Sequence, residues 1–236
     1  MKALLLSLML ATPATAQQLR LGTEGAYPPY TFLSESGILQ GIDIDLGNEI
    51  CARIGAECTW VINEWATIID NLLAGDYDAI LAAMSETPER AERVLFTQPY
   101  EAPPGPSVFV GTRHSTDPET AMIAVQADTI QEAHLRQTGR KVQPYPTAAA
   151  ALAAVLDGSA DLVFGSGAFL EPRVFGTGQP LVIVGREQIE ASSSAIALRK
   201  EDTALAARFD AAIDDMKSDG SLIAILIKWL PAETDL

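Results

Sequence analysis

Apolar residues recur at helical spacing most clearly in residues 41–55, which read GIDIDLGNEICARIG. Aspartates stand near the start of this stretch and a glycine ends it, and four apolar residues lie four positions apart: Ile42, Leu46, Ile50 and Ile54. That spacing puts them on one face of a helix. The pattern therefore predicts an amphipathic helix with capping residues at both ends.

Helical and strand patterns alternate along the rest of the chain. Short apolar or alternating runs predict strands at residues 18–24, 58–63, 77–84, 107–111, 122–126, 141–145, 161–165, 180–185 and 192–200. Helical periodicity predicts helices at residues 41–55, 65–76, 87–93, 128–139, 147–158, 167–172, 202–220 and 221–230. In the second of these helices, the predicted inward residues are Ile68, Ile69, Leu72 and Leu73. Alternation of this kind is typical of an α/β fold with largely parallel strand pairing.

The alternation occurs in two similar halves, separated by a Pro/Gly cluster at residues 103–106. Two strand-like segments join the halves, and the C-terminal helices are expected to return to the first half. We therefore expect two lobes with a cleft between them, since two parallel crossings form a hinge. The expected boundaries are 17–108 plus 195–236 for lobe 1, 112–192 for lobe 2, and 109–111 and 193–194 for the hinge.

The N-terminus has the pattern of an export signal. Lys2 precedes an apolar run of about ten residues, and small residues follow at 14–16. That run has roughly half the length that spans a bilayer, which favours a cleaved signal peptide at residues 1–16 over a membrane anchor or a buried helix. Cleavage leaves about 220 residues, which we expect to be periplasmic and not inserted in the membrane.

Composition narrows the partners. The chain of 236 residues is 48% hydrophobic, enough for substantial cores, and its formal net charge is −15. Nucleic acid and anionic lipid are therefore disfavoured as partners. The two histidines, His114 and His134, are far apart in sequence, so we expect no metal site and no organic cofactor.

The two cysteines, Cys51 and Cys58, stand close together in CARIGAEC. Export makes a structural disulfide the favoured interpretation. A redox site would favour C-x-x-C spacing, and a metal site would need more ligands.

Four stretches, in order along the chain, carry a family resemblance: LGTEGAYPPYTF (21–32), GIDIDLGNEICARIGAECTWV (41–61), DYDAILAAMSETPERAERVLFTQPY (76–100) and LRKEDTALAARFDAAIDDMKSDGSL (198–222). They resemble the extracytoplasmic solute-binding proteins that deliver polar amino acids to ABC importers. The resemblance is greatest to the lysine/arginine/ornithine/histidine and octopine/nopaline branch. It implies a two-lobed type II periplasmic-binding-protein fold, monomeric, that closes on its ligand and is recognised by a membrane permease. The cysteine pair also resembles the disulfide of the members that bind basic amino acids.

The resemblance assigns roles to residues on both lobes. Arg90 resembles the arginine that takes the ligand's α-carboxylate, for which its planar fork is suited; the alternative is a surface arginine paired with Glu86 or Glu89. Ser85 would add a hydroxyl or N–H group to the same carboxylate. Thr129 stands at a helix start, where free N–H groups attract anions, although an ordinary helix cap would also explain it.

Aromatic and acidic positions point to a cationic ligand. Tyr27 and Trp65 match positions that sandwich the ligand side chain, with core packing as the alternative, and Tyr30 is a weaker candidate. Glu24 matches an acidic residue that meets the distal cation of basic ligands. A carboxylate isolated in a cleft is costly unless paired, so Glu24 would otherwise need an arginine partner of its own.

Two departures from the family pattern bear on ligand identity. Ala82 and Ala83 stand where many amino-acid-binding members have hydroxyl residues, so two polar contacts to the ligand are missing. Ala83 is still expected to contact the ligand, without a polar side chain. Ser166 stands where the family usually places the aspartate that meets the α-ammonium group. Loss of that charge suits an opine-like ligand with a substituted nitrogen, unless a water molecule or Glu171 compensates.

These features predict a binding protein with no catalytic residues. The main alternative is a cyclohexadienyl-dehydratase-like enzyme on the same fold, which would need a positioned general acid or base. Ser166 is poorly suited to that role, and Glu24 and Glu171 are the nearby candidates. A sensory lobe pair without a transport role is a third alternative.

Overall fold

The structure is a computed structural model that describes residues 17–176, 178–190 and 192–230. Its strands are β1 (Gln17–Thr23), β2 (Ala26–Tyr27), β3 (Thr31–Leu33), β4 (Leu39–Gln40), β5 (Ala56–Ile62), β6 (Ala79–Ile80), β7 (Leu95–Phe96), β8 (Ser107–Gly111), β9 (Met122–Gln126), β10 (Lys141–Tyr145), β11 (Leu162–Ser166), β12 (Val182–Glu187) and β13 (Ala197–Leu198). Its α-helices are α1 (Ile42–Arg53), α2 (Ile68–Ala74), α3 (Pro88–Ala91), α4 (Ile130–Gln137), α5 (Ala148–Leu156), α6 (Gly167–Gly176), α7 (Thr203–Asp219) and α8 (Ser221–Trp229), and a 3-10 turn, Trp65–Thr67, precedes α2. The predicted α/β class is confirmed.

Ten of the described strands form two five-stranded sheets, one in each lobe, and β2, β3 and β4 form a small antiparallel sheet. The first has the order β5-β1-β6-β13-β7, with β1 parallel to both β5 and β6. The second has the order β10-β9-β11-β8-β12, with β9 parallel to both β10 and β11. The remaining pairings, made by β7, β8, β12 and β13, are antiparallel.

The first crossing between the lobes lies earlier in the chain than the expected boundary. Strand β8 pairs with β11 and β12 along its whole length, and its first residue, Ser107, already lies opposite Ser166. Ser107 and Val108 therefore belong to the second sheet rather than to lobe 1, and 109–111 lie within it rather than in a hinge. The chain crosses in the proline-rich segment 101–106, where no strand pairing forms.

The return crossing reaches the first lobe near Ser194. Ser194 forms an isolated antiparallel bridge with Ser85, and its carbonyl accepts a hydrogen bond from the Tyr100 amide at 3.1 Å. Strand β13 then enters the first sheet, and α7 and α8 pack on that lobe, as the first-lobe core cluster that includes Phe209, Ile213 and Leu222 shows.

Each sheet is covered by apolar helix faces, and most of the predicted faces are correct. Three of the four periodic residues of α1 are buried, and Ile54 packs at the edge of the same core. In α2, Ile68 and Leu72 are buried, but the inward prediction for Leu73 is wrong, since it is 43% exposed. Helix α2 is only seven residues long, so its apolar face is narrower than the sequence run suggests.

The start of α1 organises two loops that lead to the cleft. The amides of Ile42 and Asp43 donate to the carbonyls of Pro29 and Tyr30, at 3.0 and 2.9 Å. Gly41 makes this approach possible, because a Cβ atom there would lie 2.2 Å from the Tyr30 carbonyl oxygen. The loop 28–30 is therefore held against the helix end by main-chain hydrogen bonds.

The Asp43 side chain holds a second loop. It is fully buried and accepts hydrogen bonds from the Ala83 amide at 2.7 Å and the Tyr100 hydroxyl at 2.8 Å. Burial raises the pKa of the Asp43 carboxyl to about 7, although both hydrogen bonds favour its charged form.

The predicted disulfide between Cys51 and Cys58 is present and ties α1 to β5. The proposed signal peptide, residues 1–16, lies outside the described residues. Within the described residues, no helix has the length and apolarity needed to cross a membrane.

Replacement of Asp43 by alanine should destabilise the protein strongly. The change leaves a buried amide and a buried hydroxyl without their acceptor, at an expected loss of about 2–4 kcal/mol in the free energy of unfolding. Urea unfolding monitored by circular dichroism measures the loss. Glu49→Ala on the same helix is the control, because it removes only a partly exposed pair with Arg53 and should cost about 0.3–0.5 kcal/mol. Equal losses in the two variants would contradict the role given to Asp43.

Candidate ligand-binding cleft

The predicted site residues follow the carboxyl ends of parallel strands. Glu24 follows β1, Trp65 follows β5, and Ser85 lies beyond β6 in the first lobe. Thr129 follows β9, and Ser166 is the last residue of β11 in the second lobe. Ligands of open α/β sheets bind at such ends, where loops leave the sheet. The topology thus brings residues distant in sequence to one cleft.

A single cavity between the lobes is lined by all eight predicted residues, together with Tyr30 and Ala82: Glu24, Tyr27, Trp65, Ala83, Ser85, Arg90, Thr129 and Ser166. Its empty space amounts to about 820 Å³, a figure that includes the open mouth. Residues that sequence reasoning did not single out also line it, notably Glu101, Gln126 and Phe169.

Arg90 lines this cavity and forms no salt bridge in the described part of the chain. Its guanidinium donates to two main-chain carbonyls, that of Ser85 at 2.8 Å and that of Asp128 at 3.1 Å. The suggested surface pairing with Glu86 or Glu89 does not form among the described ion pairs. Burial lowers the pKa of Arg90 to about 10. The side chain thus carries a positive charge that is held by main-chain carbonyls rather than by a salt bridge.

Trp65 both packs in the core and lines the cleft. It is 9% exposed and belongs to an apolar cluster with Ile68 and Leu72. Its indole N–H donates to the Asp128 carbonyl at 3.1 Å, and the Arg90 guanidinium lies 5.1 Å from its ring centroid. Core packing and cavity lining are therefore combined in one side chain.

Glu24 is buried, at 7% exposure, and has an amide rather than a cation as its partner. The Gln126 side-chain amide donates to it at 2.7 Å from the other lobe. Burial raises the pKa of Glu24 to about 7, and the Gln126 hydrogen bond only partly opposes this. The arginine considered as its alternative partner is absent from its described ion pairs and hydrogen bonds.

Thr129 is the N-cap of α4, as the alternative interpretation required. Its hydroxyl accepts from the Glu132 amide at 3.2 Å and donates to the Gln126 carbonyl at 2.8 Å. Thr129 and Ile130 also line the cavity, so the first turn of α4 faces the same space as Arg90. The first amides of a helix have no partner within the helix.

Two tyrosines extend the aromatic side of the cavity. The Tyr27 ring stacks on Phe169 of the second lobe, with centroids 5.1 Å apart, and lies 6.0 Å from the Tyr30 ring. A hydrogen bond joins the Tyr27 side chain to Ser166, and burial raises the pKa of Tyr27 to about 12. Phe169 belongs to α6, which extends further than the short helix predicted at 167–172.

The strand-end segment that bears Ala83 and Ser85 has an unusual backbone. Ala83 adopts a positive φ of 49°, which an alanine rarely takes. Its amide is held by Asp43, and two residues later the Ser85 carbonyl accepts from Arg90. This local conformation turns the chain away from β6 and towards the cleft.

Several contacts join the lobes across the cleft, in addition to the hydrogen bond between Tyr27 and Ser166. Arg90 and Trp65 both donate to the Asp128 carbonyl, Gln126 donates to Glu24, and Tyr27 stacks on Phe169. The carbonyl of Asp128 is presented by a residue at a positive φ of 58°. The residues that line the cavity therefore also hold the two lobes together.

Glu171, considered as a substitute for the missing charge at Ser166, is engaged elsewhere. Its carboxylate pairs with Arg186 at 2.9 Å, and it is not among the residues that line the cavity. Among the described residues, no group of three or more histidine, cysteine, aspartate or glutamate side chains is arranged to hold a metal ion.

Two α/β lobes, two crossings and a cavity between the lobes that is lined by charged and aromatic side chains define a clamp-type solute-binding protein. The chain belongs to the bacterial extracellular solute-binding proteins, family 3, whose model matches residues 19–232. The predicted family and two-lobed fold are thus confirmed.

Relatives with stated ligands include the L-arginine-binding protein of Pseudomonas aeruginosa, 32% identical over 96% of this chain and 93% of that protein. The octopine-binding periplasmic protein of Rhizobium meliloti is 43% identical, but over only 40% of this chain and 33% of that protein. Among solved structures, a periplasmic His/Glu/Gln/Arg/opine family-binding protein from Silicibacter pomeroyi, in complex with lysine, is 40% identical. It covers 92% of this chain and 99% of the other, with a TM-score of 0.87.

The buried Glu24 should make stability depend on pH in a defined direction. Its carboxyl titrates at 4.5 in a model peptide and at about 7 in the folded protein. Between those values the folded state binds more protons than the unfolded state, so the free energy of unfolding falls as pH rises. Glu24→Gln lacks this titrating group and so lacks this decline. The difference in free energy of unfolding between Glu24→Gln and wild type should therefore shift by about 3 kcal/mol in favour of the variant as the pH rises across that interval.

Urea unfolding of the ligand-free protein at several pH values between about 4.5 and 7.5 tests this expectation. Glu35→Gln, at an exposed position, should follow the wild-type pH profile. A Glu24→Gln profile parallel to that of wild type would show that this carboxyl is not the titrating group.

Proposed function

We propose that the protein is the periplasmic solute-binding component of an amino-acid ABC importer. Its ligand is a cationic amino acid, such as arginine, lysine, ornithine or histidine, or an opine-like N-substituted derivative. The observation that carries the proposal is the charge pattern of the cavity. One guanidinium and two carboxylates line it, those of Arg90, Glu24 and Glu101, and none forms a salt bridge within the described chain.

The α-carboxylate of the ligand is assigned to Arg90. The guanidinium is fixed by its bonds to the Ser85 and Asp128 carbonyls, so an incoming carboxylate meets an oriented fork. The first turn of α4, beginning at Thr129, supplies amides and the positive end of a helix dipole. Ser85 borders the same space. Together these groups suit one small anion.

The distal cation of the ligand is assigned to Glu24. Burial raises the pKa of this carboxyl because it disfavours the charged form. A cationic group of the ligand beside the carboxylate would offset that cost. The rings of Tyr27 and Trp65 give an apolar and π-rich wall for the ligand's stem, a contact worth about 0.5–2 kcal/mol for a cationic group.

Capture proceeds by closure of the clamp. The ligand docks on the first lobe through Arg90, Glu24 and Trp65, and Thr129 and Ser166 of the second lobe complete the shell. Arg90 and Trp65 also bond the second lobe directly at Asp128. A ligand that orders these side chains therefore favours the closed state by its differential contacts.

The closed monomer would then be recognised by the membrane permease, after export directed by residues 1–16. The family and the arginine-binding relatives support this role. A dehydratase-like activity has less support, because Glu171 lies outside the cavity lining and Glu24 is held by Gln126.

A panel of ligands on refolded, ligand-free protein tests the proposal. Arginine, lysine, ornithine, histidine, glutamate, glutamine, octopine and nopaline would be screened by thermal shift and confirmed by calorimetry. A true ligand at a hundred times its Kd should stabilise by ~2.7 kcal/mol. A response to glutamate or glutamine alone would overturn the cationic assignment.

Arg90→Ala should weaken binding of the best ligand by at least about 30-fold, because the ligand carboxylate loses its charged partner. Arg90→Lys should recover only part of the loss, since it keeps the charge but not the fork. The matched control is Arg93→Ala. That exposed arginine pairs with Asp70 outside the cavity lining and should leave the Kd unchanged. Wild-type affinity in Arg90→Ala would refute the carboxylate assignment.

A further inference from the structure

Glu101 is an acidic residue in the cleft that the family resemblance did not assign. It begins the first crossing between the lobes and lines the cavity. The Ser194 hydroxyl donates to its Oε1 at 2.5 Å, and the Tyr30 side chain is hydrogen-bonded to it. These two neighbours come from the return crossing and from the loop held by α1. The carboxylate is therefore fixed in place from two directions.

No cation neutralises Glu101 in the described part of the chain. It occurs in none of the ion pairs there, and burial raises its pKa. A carboxylate in this setting is costly unless a positive group joins it. Since the side chain borders an open cavity, a bound ligand can supply that group.

Glu101 is linked to the carboxylate end of the site. Ser194, which donates to Glu101, is the bridge partner of Ser85, and the Ser85 carbonyl accepts from Arg90. Glu101 and Arg90 thus flank one pair of facing serines. An α-amino acid carries its carboxylate and its ammonium on the same carbon, so its two charged groups require a cation and an anion in the same neighbourhood.

We infer that Glu101 receives the α-ammonium group of the ligand and selects a free basic amino acid over an opine. This inference rests on the proposed function. Glu101 would supply from the crossing segment the charge that Ser166 lacks on the second lobe, with Glu24 left for the distal cation. The two carboxylates and Arg90 then match a ligand with two cationic groups and one carboxylate.

The same placement disfavours opines. An opine carries a second carboxylate on the substituent of its α-nitrogen, and that carboxylate would approach Glu101. Like charges brought together in a partly desolvated cleft repel each other. The expectation drawn from Ser166, a pocket for a substituted nitrogen, is therefore reversed by this inference.

Three ligands separate the roles of the two carboxylates. Arginine carries both cations, δ-guanidinovalerate lacks the α-ammonium group, and citrulline lacks the side-chain charge. Calorimetry on wild type and Glu101→Gln should show a loss of about 10- to 100-fold for arginine and citrulline, and little change for δ-guanidinovalerate. Glu24→Gln should instead lose affinity for arginine and not for citrulline. Glu35→Gln, at an exposed position outside the cavity lining, should bind all three ligands as wild type does.

The outcomes are distinguishable. If wild type binds none of the ligands in the wider panel, the proposed function and this inference both fail. If wild type binds arginine and Glu101→Gln loses arginine and δ-guanidinovalerate equally, or loses neither, the inference alone is overturned. Tighter wild-type binding of octopine than of arginine would also overturn it.

A second variant guards against misfolding of Glu101→Gln. Ser194→Ala removes only the hydroxyl donor to Glu101, because the strand-bridge and Tyr100 contacts of Ser194 use its main chain. It should weaken arginine binding less than Glu101→Gln does, and it should likewise leave the affinity for δ-guanidinovalerate unchanged. If the ratio of arginine affinity to δ-guanidinovalerate affinity in Ser194→Ala equals that of wild type, the result would count against Glu101 as the partner of the α-ammonium group.

Discussion

The arrangement of the cleft depends on a buried carboxylate that does not itself line the cavity. Asp43, at the start of α1, fixes the Ala83 segment through its side chain, while its main chain and that of Ile42 fix the loop at Pro29 and Tyr30. The first segment leads to Ser85 and Arg90, and the second carries the tyrosines. One helix terminus therefore sets the relative positions of the charged and aromatic sides of the site. Burial makes the interaction costly to replace, because both donors would remain unsatisfied.

The charged groups that line the cleft form no salt bridges within the described chain, whereas two largely buried arginines elsewhere do. Arg140 in the second lobe is matched by Glu187 and Glu119, and Arg199 in the first lobe by Asp78 and Asp202. The charged groups that line the cavity are satisfied by neutral partners instead: carbonyls for Arg90, an amide for Glu24. Neutral partners hold a side chain in position without cancelling its field, so each group stays available to an oppositely charged ligand.

Much of this architecture was predictable from the chain, and the exceptions have physical causes. Hydrophobic periodicity identified α1, α7 and the principal strands, because their apolar faces are long enough to show a period. Leu73 was misplaced since α2 is too short to have a second inward row. The boundary at 109–111 was wrong because the apolar run at 107–111 is equally suited to a crossing and to a sheet strand, and only its pairing with β11 and β12 decides between them.

Within the site, sequence comparison reached the residues that a family pattern marks, and all of them line one cavity. Glu101, Gln126 and Phe169 were missed for different reasons. Glu101 stands alone before a proline-rich loop, where a single acidic residue is unremarkable. Gln126 ends a strand whose apolar character dominates the pattern, and its partner Glu24 is about a hundred residues away in sequence. Such long-range pairings have no local signature.

The Asp128 carbonyl has an evolutionary consequence. Two of the hydrogen bonds that join the first lobe to the second end on a main-chain oxygen, an acceptor that no point substitution deletes. The Asp128 side chain is exposed, and asparagine and glycine also tolerate its left-handed backbone. Lineages of this protein can therefore change other residues of the pocket wall while this contact persists, and a library that keeps Arg90 and Trp65 and varies the remaining cavity residues would retain both hydrogen bonds between the lobes.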